Sequence, residues 1–314
     1  MIYNSFMKKD ELLRKYNLPL QELLKEASLL RSGEVEFCSL ISAKTGKCGE
    51  NCRYCAQSSH YFSSVASHPL VSVEDVVKAA LEAKKNGADK FAIVTSGRGP
   101  LDADLPEICK MIKAINNLGL KSCASLGILT YEQAKMLKDA SLVRYHHNIN
   151  TSRSYHPEIS TTHTYEDRVE TINNIRKAGL ELCCGVIIGM GESAGQRVEM
   201  ALELAEIAPE SIPFNILTPI EGTPFEGYLN KIDEENILRT AAVFKIANPK
   251  AVVRFCGGRS SRLSKENCKT AVKSCVEGVM IGNYLTTMGV SPQEDKEMIA
   301  SLGLSLSEEE KLYV

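Results

Sequence analysis

The feature that most limits the fold is a unit that returns eight times along 314 residues: a short apolar run, a polar loop, an amphipathic helix, a small residue, then the next run. The runs fall at residues 36–42, 90–95, 121–126, 142–148, 181–188, 212–217, 251–255 and 278–281. Stretches with helical spacing lie between and after them, at 73–86, 105–117, 131–138, 165–177, 194–207, 234–247 and 264–274. Junctions such as KKNGADKFAI, INNLGLKSCA and RKAGLELCCG carry the unit openly. Alternating strands and helices need crossover connections, whose handedness favours parallel pairing, and eight such units close most economically as a barrel. The reading is α/β, a (β/α)8 TIM-type barrel with N-terminal capping helices. Residues 9 to 31 supply those helices, with Leu12, Leu13, Leu23, Leu24, Leu29 and Leu30 at helical spacing. We read one domain over 1–314: a helical cap to 35, the barrel over 36–290, and a tail over 291–314 opening with a closing helix.

Composition removes several function classes. Hydrophobic content of 44% with 24% charged residues suits a soluble globular chain, and no apolar run reaches membrane-spanning length. A formal net charge of -2 gives no reason to expect nucleic acid or an anionic membrane. The first residues are amphipathic with no signal-peptide core, so the expected location is cytoplasmic. Eleven cysteines, an odd number, then argue for thiolate chemistry in a reducing compartment and against a disulfide framework.

Three of those cysteines, Cys48, Cys52 and Cys55, form a C-x3-C-x2-C series on a Gly-punctuated loop directly after the first strand. In a barrel that places them at the C-terminal mouth, where catalytic groups gather. Iron-sulfur clusters are held by thiolates, and a four-iron cluster with three protein thiols leaves one iron open to an external ligand. Structural zinc would want a fourth Cys or His at short range, and the nearest candidate is His60.

A second set of thiols falls on strands: Cys38 on the first, Cys123 on the third, Cys183 and Cys184 on the fifth, Cys256 at the end of the seventh. Strand residues alternate between the barrel interior and the helix side, so four strands can aim thiols at one interior point, with Cys184 out of phase. Arg254 shares a face with Cys256. An interior guanidinium implies an anionic neighbour, such as a thiolate-bound cluster. The competing reading is that free Cys packs as a small hydrophobe, which suits Cys109, Cys268 and Cys275.

C-x3-C-x2-C with an aromatic residue, Tyr54, before the last Cys resembles the signature of radical S-adenosylmethionine (SAM) enzymes. Leu40, Ser42, Lys44-Thr45-Gly46 and Ala56-Gln57-Ser58 narrow the likeness to the biotin synthases. The resemblance implies that Cys48, Cys52 and Cys55 hold a 4Fe-4S cluster whose fourth iron binds SAM. It implies sulfur insertion between C6 and C9 of dethiobiotin, with the sulfur drawn from an auxiliary cluster inside the barrel. The common auxiliary pattern is three cysteines and an arginine around a 2Fe-2S centre. Cys123, Cys183 and Arg254 match three of those positions, whereas Ala92 stands where the fourth has a thiol. Cys38 and Cys256 stand where hydroxyl residues are common. A thiol lost and two gained read as a rebuilt site, resembling the variant enzymes of anaerobes. The expected ligands are Cys38, Cys123, Cys183 and Cys256 beside Arg254, with a larger 4Fe-type cluster favoured over 2Fe-2S.

The same resemblance assigns the remaining contacts. Asn148 and Asn150, in HHNINTS, match the pair that touches ribose and substrate, Asn150 replacing an acid. Arg168 matches the partner of the methionine carboxylate, Thr95 and Ser96 the methionine amine site, and Gly189 and Gly191, in GVIIGMGE, the turn near adenine. Asn215 matches the contact to the ureido ring. His146 and His147 are read as structural, because neighbours on a strand point to opposite sides. An electron donor such as flavodoxin or ferredoxin and a homodimer are further expectations, and no acid-base residue is needed. One rival keeps barrel and radical but changes the substrate; another makes the chain a non-catalytic iron-sulfur or zinc protein.

Overall fold

Each apolar run becomes a strand of one parallel sheet. In the computed structural model, which describes residues 7–282 and 289–307, these are β1 (Glu34–Lys44), β2 (Lys90–Thr95), β3 (Lys121–Ser125), β4 (Arg144–His146), β5 (Glu181–Cys183), β6 (Val186–Ile188), β7 (Ser211–Ile216), β8 (Val252–Phe255) and β9 (Gly278–Met280). Neighbours pair in chain order, except that β5 and β6 both pair with β7, and β9 pairs back on β1 through Glu36↔Gly278 and Cys38↔Met280, closing the ring. The parts of the expected barrel and tail at 283–288 and 308–314 lie outside the described residues.

The run expected as one strand over 181–188 is two, β5 and β6, separated by Cys184 and Gly185. A side chain at Gly185 would sit 1.9 Å from the Pro213 carbonyl oxygen, so the strands touch there. Pro213 itself has no N–H to offer the ladder. The Gly185 N–H turns instead to Asn148 Oδ1 at 2.8 Å. A sequence reading sees the apolar period across this point but not the break.

Two helices, α1 (Lys9–Tyr16) and α2 (Leu20–Ser28), precede the barrel, and α3 (Val73–Lys85), α4 (Leu105–Asn117), α5 (Tyr131–Asp139), α6 (Tyr165–Lys177), α7 (Ala194–Ile207), α8 (Glu234–Ala247), the one-turn α9 (Arg259–Arg262) and α10 (Lys265–Ser274) follow the strands. Four of them, α3, α5, α6 and α7, open on capping boxes led by Ser72, Thr130, Thr164 and Ser193, which satisfy orphan N–H groups and fix where each helix starts. Helices α1 and α2 pack on α7, α8 and α10, extending the helical shell. The tail gives α11 (Pro292–Ser301) and a short β10 (Ser305–Leu306) that runs parallel to the start of β1.

Alternation along the strands sorts the residues as the period of two requires. Phe37, Phe91, Ala124, Tyr145, Leu182, Phe214, Phe255 and Val279 are buried against the helices. Full burial of such a side chain contributes roughly 1.5–3 kcal/mol. Their neighbours Cys38, Ala92, Cys123, Arg144, His146, Cys183 and Cys256 face the interior, where they line a cavity of about 350 Å³.

Candidate active site

The loop after β1 is held mostly by its own backbone. The Cys48 N–H donates to Gln57 O at 3.0 Å, the Ser59 N–H to Cys48 O at 2.7 Å and the Cys55 N–H to Cys52 O at 2.9 Å. Gly46 sits at φ 72° with Ser67 close behind it, a position no side chain could share. Cys48 and Cys52 are buried and Cys55 half-buried. All three thiols line one cavity of about 210 Å³, together with Tyr54, Thr95, Ser96, Asn148, Asn150 and Arg168. Among the described residues no three His, Cys, Asp or Glu side chains converge closely enough to hold a single metal ion. A four-iron cube presents its irons at separate corners and asks for a wider triangle of thiols. His60 is turned away from them, with Nε2 3.0 Å from Gly49 O.

The four inner thiols, Cys38, Cys123, Cys183 and Cys256, line the 350 Å³ cavity with Arg254. Cys183 lies in register with His146 on one side and Ser211 on the other, and Cys123 with Ala92 and Arg144. Ala92 also reaches this wall, contributing only a methyl group. Burial pushes the Cys123 thiol up to about 12, and burial likewise raises Cys38 and Cys183, although Arg254 and Arg144 oppose it. Iron would therefore displace protons here when it binds.

Arg254 has an anionic neighbour that the sequence reading did not anticipate. Its Nη2 pairs with Glu36, and its Nε donates to Ser211 Oγ at 3.4 Å. Nη1 is buried and finds no partner among the described residues. A buried guanidinium N–H without an acceptor is costly, so the cavity has the donor that a bound anionic group would satisfy. Lys90 Nζ also reaches Glu36, at 3.2 Å, and Arg144 Nη2 reaches Glu181 at 2.9 Å. Burial works against the Glu36 carboxylate, yet Arg254, Lys90 and Arg144 hold it down at about 2. The floor of the cavity thus sets three cations against two carboxylates, a cationic excess suited to thiolates and sulfide.

The two cavities share a wall. Tyr54, His146, Asn148 and Asn150 line both. Asn150, at φ 66°, donates from Nδ2 to the Tyr54 hydroxyl at 2.8 Å, tying the thiol loop to the end of β4. Asn148 lends Oδ1 to the break at Gly185, leaving its amide N–H groups for the cavity. Asn215 bridges backbone groups, donating to Val186 O and accepting from Gly257 N–H, both at 3.0 Å, which fixes its plane against the inner cavity. Ser96 donates its hydroxyl to Gly46 O at 2.7 Å.

Gly189 and Gly191 are not brought to the wall of either cavity. The N–H groups of Gly189 and Met190 both donate to the Glu192 carboxylate at 2.8 Å, and Gly191 packs beneath Tyr155 and Tyr228. Lys44-Thr45-Gly46 also stays off both walls, Lys44 pairing with Asp104 at 2.8 Å.

Arg144 and Lys90, which line the inner cavity, were not named from the sequence, and His146, read there as structural, lines both cavities. His146 and Arg144 lie two and four positions before Asn148, and Lys90 two before Ala92, so the strand phase could have found them. Burial first, then Arg168 and Arg254, pushes His146 down to about 4, so this imidazole is neutral at ordinary pH.

Comparison with known proteins agrees with this geometry. A model of the radical SAM superfamily matches residues 42–205, and one of a biotin and thiamin synthesis associated domain matches residues 213–305. The biotin synthase of Acetivibrio thermocellus is 47% identical over 273 residues, covering 87% of this chain and 84% of the relative. That of Clostridium perfringens is 40% identical over 308 residues, covering 96% of both. Among solved structures, a methylornithine synthase superposes with TM-score 0.81 at 15% identity over 97% of this chain and 95% of its own. An FeFe-hydrogenase maturase from Carboxydothermus hydrogenoformans also reaches 0.81 at 15% identity, covering 95% and 75%. Those two likenesses concern the barrel alone. With a thiol-lined mouth above a second thiol-lined cavity, and relatives of this identity over nearly its whole length, the chain belongs to the biotin synthase family of radical SAM enzymes.

Proposed function

We propose that this chain converts dethiobiotin to biotin in the space where its two cavities meet. The observation that carries the reading is that shared wall, since a substrate resting on Tyr54, His146, Asn148 and Asn150 faces three thiols on one side and four on the other. When bound, the 4Fe-4S cluster with SAM supplies a 5'-deoxyadenosyl radical that takes hydrogen from C9 and C6, and the auxiliary cluster supplies the sulfur. Cys48, Cys52 and Cys55 are the assigned ligands of the first, and Cys38, Cys123, Cys183 and Cys256 of the second. Arg254 offers Nη1 to that second group from a position fixed by Glu36 and Ser211.

The rest of the work of the chain is placement. Arg168 and Ser96, with Thr95, sit beside the three-thiol loop, where a methionine carboxylate and amine would be bound. Asn148 and Asn150 stand at the mouth of β4 for ribose hydroxyls, and Asn148 with Asn215 offers amide groups to a ureido ring. Leu40, Val94, Ile187, Ile216 and Met280 give the inner cavity an apolar lining that keeps water from a reactive carbon centre. Gly189 and Gly191 act on the nucleoside only indirectly in this reading, by shaping the turn after β6.

Anaerobic incubation of reconstituted, reduced protein with SAM and dethiobiotin tests the function. Biotin formed with about two deoxyadenosines apiece is the expected result. Deoxyadenosine without biotin would move the search to another substrate, and neither product would overturn the enzymatic reading. Iron and sulfide analysis tests the auxiliary centre, with about eight irons per chain expected for a 4Fe-type cluster and near six for 2Fe-2S. The family resemblance supports three further expectations: a one-electron donor of flavodoxin or ferredoxin type, a homodimer and a cytoplasmic location. Among the described residues no helix is long and apolar enough to cross a membrane.

A further inference from the structure

The residues inside the C-x3-C spacing do something the thiols do not. Glu50 and Asn51 reach across to the segment that leads into α6. Asn51 Oδ1 accepts from the Thr161 N–H at 2.9 Å, its Nδ2 donates to Thr161 Oγ1 at 2.7 Å, and its own N–H donates to Thr162 Oγ1 at 3.0 Å. Glu50 Oε2 accepts from Thr162 Oγ1 at 2.7 Å and contacts His163 Nδ1, while Oε1 accepts from Arg98 Nη1 at 3.1 Å. On its other edge His163 Nε2 meets Arg168, 3.1 Å from Nε and 2.9 Å from Nη2. Arg168 Nη1 completes the set by donating to Asn148 O at 3.0 Å.

This chain has only one consistent proton arrangement. A guanidinium is a donor at every nitrogen and cannot accept, so His163 Nε2 must be the bare, accepting nitrogen. The ring proton then sits on Nδ1, where the Glu50 carboxylate takes it. Glu50 therefore fixes the tautomer, and the tautomer fixes the edge of the Arg168 guanidinium formed by Nε and Nη2. His163 and Glu50 are both buried, so water does not compete for these contacts.

We infer that Glu50 and His163 are positioning residues for the SAM carboxylate, acting through Arg168. They couple the loop that carries Cys48 and Cys52 to the cation beside it, so that cluster loop and SAM anchor keep one geometry. The inference rests on the assignment of Arg168 to SAM made under Proposed function. It predicts that SAM affinity depends on His163 although His163 itself need not touch SAM.

The test uses the cluster-loaded protein and measures SAM dissociation by equilibrium dialysis, with KM for SAM and for dethiobiotin alongside. His163→Leu should weaken SAM roughly tenfold, in the range usual for lost outer-shell partners, and raise KM for SAM while leaving that for dethiobiotin in place. His163→Gln, whose side-chain oxygen can still accept from Arg168, should recover most of the loss. Arg168→Met should weaken SAM at least as much, and adding His163→Leu to it should cost little more, because the two act as one unit. Wild-type SAM affinity in His163→Leu, against a weakened Arg168→Met, would overturn the inference. So would losses that simply add in the double variant. Wild-type affinity in Arg168→Met would instead remove the underlying assignment. Should His163→Leu fail to retain its clusters, His163→Asn keeps the buried position polar but falls short of Arg168, and carries the same comparison.

Discussion

The two thiol sets of this protein are built in opposite ways. Cys48, Cys52 and Cys55 lie within eight residues on one loop, held by local turns and by Glu50 and Asn51 reaching to a neighbouring segment. Cys38, Cys123, Cys183 and Cys256 are scattered over 219 positions and meet only because β1, β3, β5 and β8 are staves of one closed barrel. The first set can form wherever its loop folds; the second exists only when the whole ring has closed. The loop faces a cavity rich in polar groups suited to a nucleoside. The strand set stands over a floor of paired charges, where Lys90, Arg144 and Arg254 outnumber Glu36 and Glu181.

Separate construction should allow the two sets to be broken separately. The largest effect is expected for Cys52→Ala, which should abolish deoxyadenosine formation altogether and remove about four irons per chain. Cys183→Ala is the sharper case. It should leave SAM cleavage measurable while biotin, read by mass spectrometry, disappears and only the auxiliary iron is lost. Biotin made at the parent rate by Cys183→Ala would dissolve the distinction between the sets.

Arg254→Met probes the floor without touching a thiol. It removes one of the two cations on the partly buried Glu36 carboxylate and should cost about 3 kcal/mol of stability in a urea melt, together with auxiliary iron. An unchanged urea midpoint would mean that Lys90 and Arg144 suffice to compensate Glu36. Asn215→Ala, which loses a bridge between β6 and the end of β8, should raise KM for dethiobiotin about tenfold, near 1.4 kcal/mol, with SAM affinity untouched. The smallest effect is expected for Ala92→Cys. It returns a thiol to a cavity wall that has four already, and iron content should stay within error of the parent.

Much of this was open to a reading of residues in order. The eight runs and seven helices were legible because each needs only its own period and caps, as Ser72, Thr130, Thr164 and Ser193 illustrate. Inner thiols could be nominated from strand phase alone. The break at Gly185 was not legible, because its cause is Pro213, twenty-eight positions away on the adjacent strand. Nor was the local wiring of the turn at Gly189 and Gly191, where the Glu192 carboxylate accepts from the Gly189 and Met190 N–H groups.

What the sequence determined by itself is therefore the periodic barrel and the thiol loop, features whose physics is local: alternation, capping and three ligands on one short turn. Only the tertiary structure decided that Arg254 leans on Glu36 and leaves Nη1 bare, that Lys90 and Arg144 sit beneath the inner thiols, and that Glu50 speaks to Arg168 through His163. Those pairings join residues from strands and loops far apart in the chain. Their energies depend on burial and on distances that exist only after β9 has closed on β1.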